Sequence, residues 1–366
     1  MKALVHIGPP KSGTTSIQAY LRRNREPLAA NRIATLPRAE WVRTLAAMFK
    51  GKEPGTAWYR ARREASGLSF DEFQVESDRR LREKLGELPA DTRLLVLSSE
   101  GLFSCSSREI ERLKTLLDDF CESVEIITYL RRQDFMAISK QKNKVRNGGR
   151  IDAVGARHHR NMDYWLQIKK WAATFGLEQI QVRRFPDSAP EKFDLVEQFQ
   201  SELAARVDGW SGDFKMPEYR NVGWSWQASE FLRIANHQCP DLLSNAKFHR
   251  RLVRQIDRGC SGGEKLSITR DLARDIVAIY DESNEIIRQK FFPSEAALFH
   301  DDYSRYPETD IELNQQLSVD SAVQLSVELM AGMVENRSDR RDRGNQGKPV
   351  GPLRVAVRRM RRMCGI

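Results

Sequence analysis

The residues best suited to chemistry lie directly after the first apolar run of the chain, at positions 8–16, and read GPPKSGTTS. The run before them, Ala3–Ile7, has the composition of a β-strand, and apolar residues at helical spacing begin at Ile17. A glycine-containing turn between a strand and a helix directs backbone N–H groups inward, and the helix dipole adds partial positive charge. Three successive hydroxyl residues from Thr14 supply further donors, so the segment is typical of a phosphate-binding loop.

The lysine of this loop does not stand where an ATP-binding loop would have it. Loops that bind ATP or GTP follow the pattern GxxxxGK[ST], with the lysine directly after the second glycine. Here Thr14 occupies that position, and the only lysine of the loop is Lys11. An ATP- or GTP-dependent phosphotransferase is therefore disfavoured but stays an alternative, as does a non-catalytic protein that binds anions or a membrane.

A second candidate for anion binding follows the strand predicted at Val124–Leu130. Arg131 comes directly after that strand, and Ser139 comes eight residues later. A guanidinium can bind a phosphate through two N–H groups, and a hydroxyl can donate to a third oxygen. Because Arg132 and Asp134 stand between them, a solvated loop with a local ion pair is the alternative for this segment.

Together these two segments resemble the signatures of sulfotransferases that use 3′-phosphoadenosine 5′-phosphosulfate (PAPS), and they are most similar to bacterial carbohydrate-type members. PPKSGTT resembles the loop that binds the 5′-phosphosulfate, and the Arg131–Ser139 pair resembles the site of the 3′-phosphate. The resemblance implies a P-loop nucleotide-binding fold, with PAPS as co-substrate and no metal. It implies the following cofactor-binding residues: Lys11, Ser12, Gly13, Thr14, Thr15, Ser16, Arg131 and Ser139.

The resemblance also implies a catalytic base at the carboxyl end of the strand beside the loop. In this chain that strand is predicted at Arg93–Leu97, and Glu100 follows it. Glu100 is therefore the candidate base for the proton of an acceptor hydroxyl, while Lys11 meets the negative charge that grows on the leaving phosphate. The alternatives for Glu100 are a cap of the following turn, an ion pair with a basic neighbour, or a Mg²⁺ ligand in an ATPase.

Three further segments give weaker indications. Arg220–Ser225 and Tyr280–Phe299 also resemble parts of carbohydrate-type sulfotransferases, and Arg220 is interpreted either as a ligand of the cofactor phosphates or as a surface residue. His158 and His159 are adjacent, so on a helix they would face apart. We expect a surface pair there and no shared metal.

The order of the predicted elements is that of an α/β protein. Short β-branched runs predict strands at 3–7, 94–97, 124–130 and 180–182, with a weaker fifth at 32–36, and helical patterns lie between them. This alternation predicts a central parallel sheet flanked by helices. Residues 41–88 are predicted to form a helical insertion between the second and third strands.

The part of the chain after the last strand has a helical pattern. Helices are predicted at 228–236, 272–290 and 319–334, the last from the spacing of Val319, Val323, Ser326, Met330 and Met333. We predict a sulfotransferase-like P-loop domain at 1–310, a C-terminal helix at 311–335 and a basic, disordered tail at 336–366.

The net charge of +10 lies mostly in the tail. Residues 337–366 contain ten Lys or Arg against two Asp, a surplus of +8, which leaves only +2 on the rest of the 366 residues. A nearly neutral body argues against a nucleic-acid-binding fold. The tail is interpreted as solvated, with contact to an anionic membrane through its apolar face at Leu353 and Val357 as the alternative.

The cysteines and the hydropathy indicate where the protein functions. Five cysteines without CxxC spacing predict neither a disulfide framework nor a zinc site and fit a reducing compartment. With no signal peptide and no apolar stretch near 18 residues, we expect a cytoplasmic protein, with peripheral attachment to the inner membrane face as an alternative. The predicted reaction is transfer of a sulfuryl group from PAPS to an acceptor hydroxyl of a carbohydrate or glycolipid.

Overall fold

The structure, a computed structural model, describes residues 1–36, 49, 51, 57–149, 154–186, 194–217, 223–259, 263–309 and 316–342, without the side chains at 57, 58, 242 and 331–342. The chain forms two compact units. The first unit comprises Met1–Ala137, Gly155–Glu218 and Leu272–Tyr303. The second unit comprises Ile138–Val154, Tyr219–Asp271 and Ser304–Ile366. The boundaries predicted at 310 and 335 stay predictions.

The first unit contains a sheet of five parallel strands. The strands are β1 (Lys2–Ile7), β2 (Ile33–Thr35), β3 (Leu94–Ser99), β4 (Ser123–Leu130) and β5 (Ile180–Arg184). Their order across the sheet is β2-β3-β1-β4-β5. The predicted strands, including the weak one at 32–36, and the parallel α/β sheet flanked by helices are therefore confirmed. The central strands are nearly continuous apolar runs because helices cover both faces of a parallel sheet.

Helices connect these strands and make up the remainder of both units. They are α1 (Thr14–Arg23), α2 (Arg25–Ala30), α3 (Ala57–Ser66), α4 (Phe70–Gly86), α5 (Ser107–Asp118), α6 (Gln133–Arg146), α7 (Tyr164–Phe175), α8 (Leu195–Ala204), α9 (Trp226–Gln238), α10 (Pro240–Ser244), α11 (Ala246–Gly259), α12 (Arg270–Ala278), α13 (Asp281–Phe291) and α14 (Val319–Asp342). The described part of the predicted insertion consists mainly of α3 and α4, and residues 41–48, 50 and 52–56 of it lie outside the described residues.

One core cluster of the first unit joins the sheet to α1 and α8. Leu4 of β1, Ile17 of α1, Ile127 of β4 and Phe199 of α8 are all fully buried in it. Each such side chain contributes roughly 1.5–3 kcal/mol through removal of apolar surface from water. This packing fixes the start of α1 against the ends of the central strands.

Two predicted helices differ from those in the structure, one by a break within it and one in its length. The helix predicted at 272–290 is divided into α12 and α13, because Tyr280 turns inward, is 1% exposed, and accepts a hydrogen bond from the His159 N–H on its hydroxyl at 2.8 Å. Helix α14 extends to Asp342, past the end predicted at 334. Beyond residue 335 the sequence loses its apolar periodicity, so the pattern no longer predicts a helix. The arginines of this segment nevertheless have a high intrinsic helix propensity.

The second unit has its own core, in which α9, α11 and α14 pack around the end of α6. Val145, Leu232, Ile256 and Leu329 are buried in this cluster.

Across the described ranges, every helix is too short or too polar to cross a membrane.

Candidate functional site

The candidate site lies at the edge of the sheet where the parallel strands end. Ile7 of β1 lies opposite Ser99 of β3, so the next residues, Gly8 and Glu100, leave the sheet side by side. On the other side of β1, strand β4 is followed directly by Arg131. Three of the segments selected from the sequence therefore begin at one edge, where ligands of open α/β sheets bind.

Ser12 closes the loop between β1 and α1. Its hydroxyl donates to the Pro9 carbonyl oxygen at 2.7 Å, and its backbone N–H donates to the same oxygen at 3.3 Å. The residue is fully buried. The Ser12 hydroxyl, which was predicted to bind the cofactor, thus stabilises the loop, because it donates its proton to an acceptor within the loop.

The loop backbone has the alternating handedness of an anion-binding nest. Lys11 and Gly13 have positive φ angles of 70° and 79°, whereas Ser12 between them does not. Alternation of left- and right-handed residues turns successive N–H groups to one side of the chain. Gly13 adopts this conformation at little cost, but for Lys11 it costs of order 1 kcal/mol and requires support from its surroundings.

Helix α1 begins at Thr14, and the N–H groups of Thr14 and Thr15 have no acceptor within the helix, whereas the Ser16 N–H donates to the Gly13 carbonyl oxygen at 2.9 Å. The N-cap is Gly13, which makes no side-chain cap hydrogen bond, and the first turn contains no acidic residue. Thr14 is 4% exposed, and its Oγ1 has no hydrogen-bond partner among the described residues. Thr15 is exposed and Ser16 half-buried in the same turn. Buried hydroxyls normally have a partner, so this set of donors fits a phosphate or sulfonate oxygen.

Two glycines of the loop stand where no side chain fits. A Cβ at Gly8 would lie 2.0 Å from Thr14 Oγ1. A Cβ at Gly13 would lie 2.1 Å from Leu195 Cδ2 and 3.0 Å from Phe185 Cε2. The loop is therefore packed tightly against the start of α8 and the residue after β5, which holds its N–H groups in place.

Arg131 contacts the loop directly. Its Nη1 donates a hydrogen bond to the Lys11 carbonyl oxygen at 3.2 Å. The guanidinium carbon lies 5.0 Å from the ring centre of Phe185 and 6.0 Å from that of Phe135. The Tyr164 hydroxyl donates to the Arg131 carbonyl oxygen. The structure thus brings the predicted 3′-phosphate arginine and the predicted catalytic lysine together.

Arg132 has a different role from its neighbour. It is buried and forms a two-bond ion pair with Asp134, with N–O distances of 2.9 and 2.8 Å. Its Nη1 donates to the carbonyl oxygens of His300 and Asp302 at 2.6 and 2.8 Å, and the guanidinium lies over the Tyr303 ring. The ion pair considered for this segment therefore exists, but it is buried and involves Arg132 rather than Arg131.

Glu100 and Lys11 interact electrostatically across the site. The Glu100 side chain retains solvent access, yet desolvation by the surrounding protein raises the pKa of its carboxyl above the ordinary value of 4.5. The positive charge of Lys11 opposes this shift and lowers the same pKa. A carboxyl with a raised pKa is a stronger base, so the pair combines a proton acceptor with a cation.

Other residues selected from the sequence are less closely tied to the loop. Ser139 is partly buried in the second turn of α6, and its part in the site stays a prediction. Arg220 lies outside the described residues. His158 is exposed, its Nε2 lies 3.5 Å from Asp163 Oδ2, and its ring lies 5.5 Å from that of Tyr280 at a tilt of 32°, consistent with a surface position.

His6 is a residue of this site that the sequence analysis missed. It is fully buried in β1 under the loop, and its Nδ1 lies 2.9 Å from Ser98 Oγ. Burial lowers its pKa to about 3, so the ring is neutral at physiological pH. Gln18 of α1 donates to the Ser98 carbonyl oxygen at 3.2 Å. A polar residue in an otherwise apolar strand, two positions before the loop, was the available signal.

The Tyr280–Phe299 segment contacts the start of α6 and the end of β5, which flank the loop. Gln133, the first residue of α6, donates to Asn284 Oδ1 at 2.7 Å. Arg184, the last residue of β5, donates to the Leu298 carbonyl oxygen at 2.6 Å. The segment that resembles sulfotransferases therefore holds the ends of two elements that flank the loop.

Comparison with known proteins gives a distant structural similarity. No protein-family model matches the chain, and no curated protein matches it. It is similar to a crystal structure of a sulfotransferase from Alicyclobacillus acidocaldarius, with 17% identity and a TM-score of 0.35, covering 69% of this chain and 95% of that chain. At that TM-score the similarity gives no argument about function. In the described part of the chain, no group of three or more His, Cys, Asp or Glu side chains could hold a metal ion.

Proposed function

We propose that the loop at 8–16 binds the phosphate-linked end of a nucleotide, which makes the protein an α/β transferase with a P-loop. The support comes from the alternating backbone at Lys11 and Gly13, the uncapped start of α1 and the buried Thr14 hydroxyl. These groups are neutral donors in a confined space, and such groups bind tetrahedral oxyanions.

Within this class we propose that the protein is a sulfotransferase that uses PAPS. The observation on which this rests is the position of Glu100 beside the loop, where β3 ends next to β1, together with the lowering effect of the Lys11 charge on the pKa of its carboxyl. In an ATP-type loop the lysine follows the second glycine and reaches the terminal phosphates. Here the lysine precedes that glycine and acts on a carboxyl group that is suited to accept a proton.

The residues of the chain divide the work of the proposed reaction. When bound, PAPS supplies the sulfuryl group, which an acceptor oxygen takes up as the bond between sulfur and the phosphate oxygen breaks. The Glu100 carboxylate accepts the proton of the acceptor hydroxyl. Lys11 and the loop N–H groups stabilise the negative charge that develops on the released phosphate oxygen. Arg131, beside the loop, binds the 3′-phosphate that distinguishes PAPS from ADP and ATP. The products are a sulfate ester and 3′-phosphoadenosine 5′-phosphate (PAP).

The acceptor proposed is a hydroxyl of a carbohydrate or glycolipid. A sugar hydroxyl is a weak acid, so its oxygen needs a base in contact with it during the transfer. A carboxyl whose pKa is raised by burial is a stronger base and suits this purpose. The scheme requires no metal ion.

A donor-competition assay tests the proposal. The purified protein is incubated with a pool of saccharides and either ³⁵S-labelled PAPS or γ-³²P-labelled ATP or GTP, and labelled product is separated by chromatography. We expect saccharide labelled from PAPS, PAP formed in equal amount, and no labelled saccharide with Glu100→Gln. Label transferred from ATP or GTP instead would establish the phosphotransferase alternative.

A further inference from the structure

Helix α11 of the second unit has a row of cations on its outer side. Leu252 and Ile256 are buried in the core of the unit, and the opposite side of the helix is exposed. The cationic row consists of the exposed residues Lys247, Arg250, Arg251, Arg254 and Arg258. Spacings of three and four residues place these side chains next to one another along about three turns.

Four cations of this row lack, among the described residues, the carboxylate partners that surface arginines have elsewhere. Arg233 pairs with Glu230 and Arg288 with Glu285, at 2.7 and 2.8 Å. Among the described residues, Lys247, Arg250, Arg251 and Arg254 make no ion pair. The acidic residue of α11, Asp257, instead accepts hydrogen bonds from Arg146 and Trp224. Neighbouring like charges destabilise a helix, so this row is costly for the folded protein alone.

Helix α14, which packs against α11, has an exposed apolar row. Leu325 and Leu329 of α14 pack into the core that also contains Leu252 of α11. Val319, Val323 and Met330 are 78%, 57% and 58% exposed. Their spacing of four and seven residues places them on one side of the helix. Three residues of the helical pattern found in the sequence therefore face solvent instead of a core.

We propose that the second unit binds an anionic lipid bilayer through the cationic row of α11 and the apolar row of α14. Each Lys or Arg near an anionic membrane surface strengthens binding by roughly fivefold, and exposed apolar side chains enter the boundary between headgroups and acyl chains. A dissolved acidic polymer would satisfy the cations but leave the apolar row in water. A bilayer is the partner that meets both rows, and this proposal is independent of the proposed catalytic activity.

Vesicle flotation with the full-length protein tests this proposal. Vesicles of phosphatidylcholine with and without phosphatidylglycerol are compared at low and high salt. The test variant replaces Lys247, Arg250, Arg251 and Arg254 by Gln. The matched control replaces four tail arginines by Gln and removes the same charge: Arg358, Arg359, Arg361 and Arg362. Because all four α11 positions are exposed, circular dichroism melting is expected to show an unchanged fold.

We expect salt-sensitive binding only to vesicles that contain phosphatidylglycerol, weakened roughly 10²-fold or more in the α11 variant and less in the tail variant. Val319→Ser with Val323→Ser should weaken binding about tenfold. No binding of the parent protein, or loss in the tail variant with none in the α11 variant, would overturn the proposal. Binding that is weakened by the α11 substitutions but not by the valine substitutions would also overturn the proposal and indicate a dissolved polyanion as the partner.

Discussion

The Arg131 guanidinium donates a hydrogen bond to the backbone carbonyl oxygen of Lys11, with Nη1 and O 3.2 Å apart. This bond ties the end of β4 to the loop after β1, and it supports Lys11 in its left-handed conformation. The relationship brings the two segments selected from the sequence into direct contact.

Arg131→Ala should weaken PAP binding more than ADP binding. Loss of a charged hydrogen bond to the 3′-phosphate costs roughly 1.5–3 kcal/mol, whereas loss of loop support affects both nucleotides equally. Isothermal titration of both ligands measures the difference, with Arg93→Ala, an exposed arginine at the other end of the sheet, as the control. Equal losses for PAP and ADP would remove Arg131 from the 3′-phosphate site.

Arg132→Ala should affect stability rather than ligand selection. The residue forms a buried ion pair with Asp134, and removal of one partner leaves an uncompensated buried charge at a cost of about 3–5 kcal/mol. Arg131→Ala, which removes the partly exposed hydrogen bond to the Lys11 carbonyl oxygen, should cost about 1 kcal/mol. Urea denaturation followed by circular dichroism compares the two variants. Similar unfolding free energies would show that the division of roles is wrong.

Glu100→Gln should remove the rising limb of the pH–rate profile. A base works only when deprotonated, so the rate of the parent enzyme should rise with pH, with a midpoint above the ordinary glutamate pKa of 4.5. The variant should be slower by about 10²–10⁴-fold with unchanged PAP affinity. Single-turnover rates measured from acid to neutral pH test this. A variant within a few-fold of the parent would rule Glu100 out as the base.

Lys11→Ala should move the rising limb of the pH–rate profile to higher pH and also slow the reaction. The Lys11 charge lowers the pKa of Glu100, so its removal raises that pKa and the carboxylate forms later as pH increases. We expect a rate loss of about 10²-fold or more and a loss of PAP affinity of only about 1–2 kcal/mol. Lys84→Ala, at an exposed position of α4, is the matched control. An unshifted limb would mean that the two groups do not interact during catalysis.

Gly8→Ala should destabilise the loop through one contact. The new Cβ would lie 2.0 Å from Thr14 Oγ1, an overlap that costs roughly 1–3 kcal/mol. Combination with Thr14→Ala removes that oxygen and should restore most of the stability but not PAP binding, because the buried hydroxyl is one of the proposed ligands. Thermal melting with and without PAP separates the two effects. Restored binding in the double variant would exclude the Thr14 hydroxyl as a ligand.

Much of the fold could be predicted because its signals are local. The β-branched runs mark all five strands, and the glycines and proline pair after β1 mark the loop. The position of β3 beside β1, which places Glu100 at the site, followed from the family resemblance. The division at Tyr280 could not be predicted, because a single buried ring contacting a distant loop leaves helical periodicity intact on both sides.

The roles of individual site residues were harder to predict for a similar reason. Arg131 and Arg132 are adjacent and identical in type, and only the tertiary structure decides which one meets Asp134 and which one meets the loop. His6 was missed because burial, not sequence, sets its neutral state. Val319 and Val323 are spaced like core residues yet are exposed, since periodicity shows that a helix has a face but not what covers it.

The preference of the full-length protein for PAP over ADP tests the central claim most directly. The two ligands have the same number of phosphates, but PAP has its second phosphate on the 3′ oxygen and ADP has it on the 5′ chain. Calorimetric titration under identical salt conditions gives both values of Kd. The proposed function predicts PAP binding tighter by roughly tenfold to a hundredfold. Equal affinity for the two, or tighter binding of ADP, would contradict a site built for PAPS.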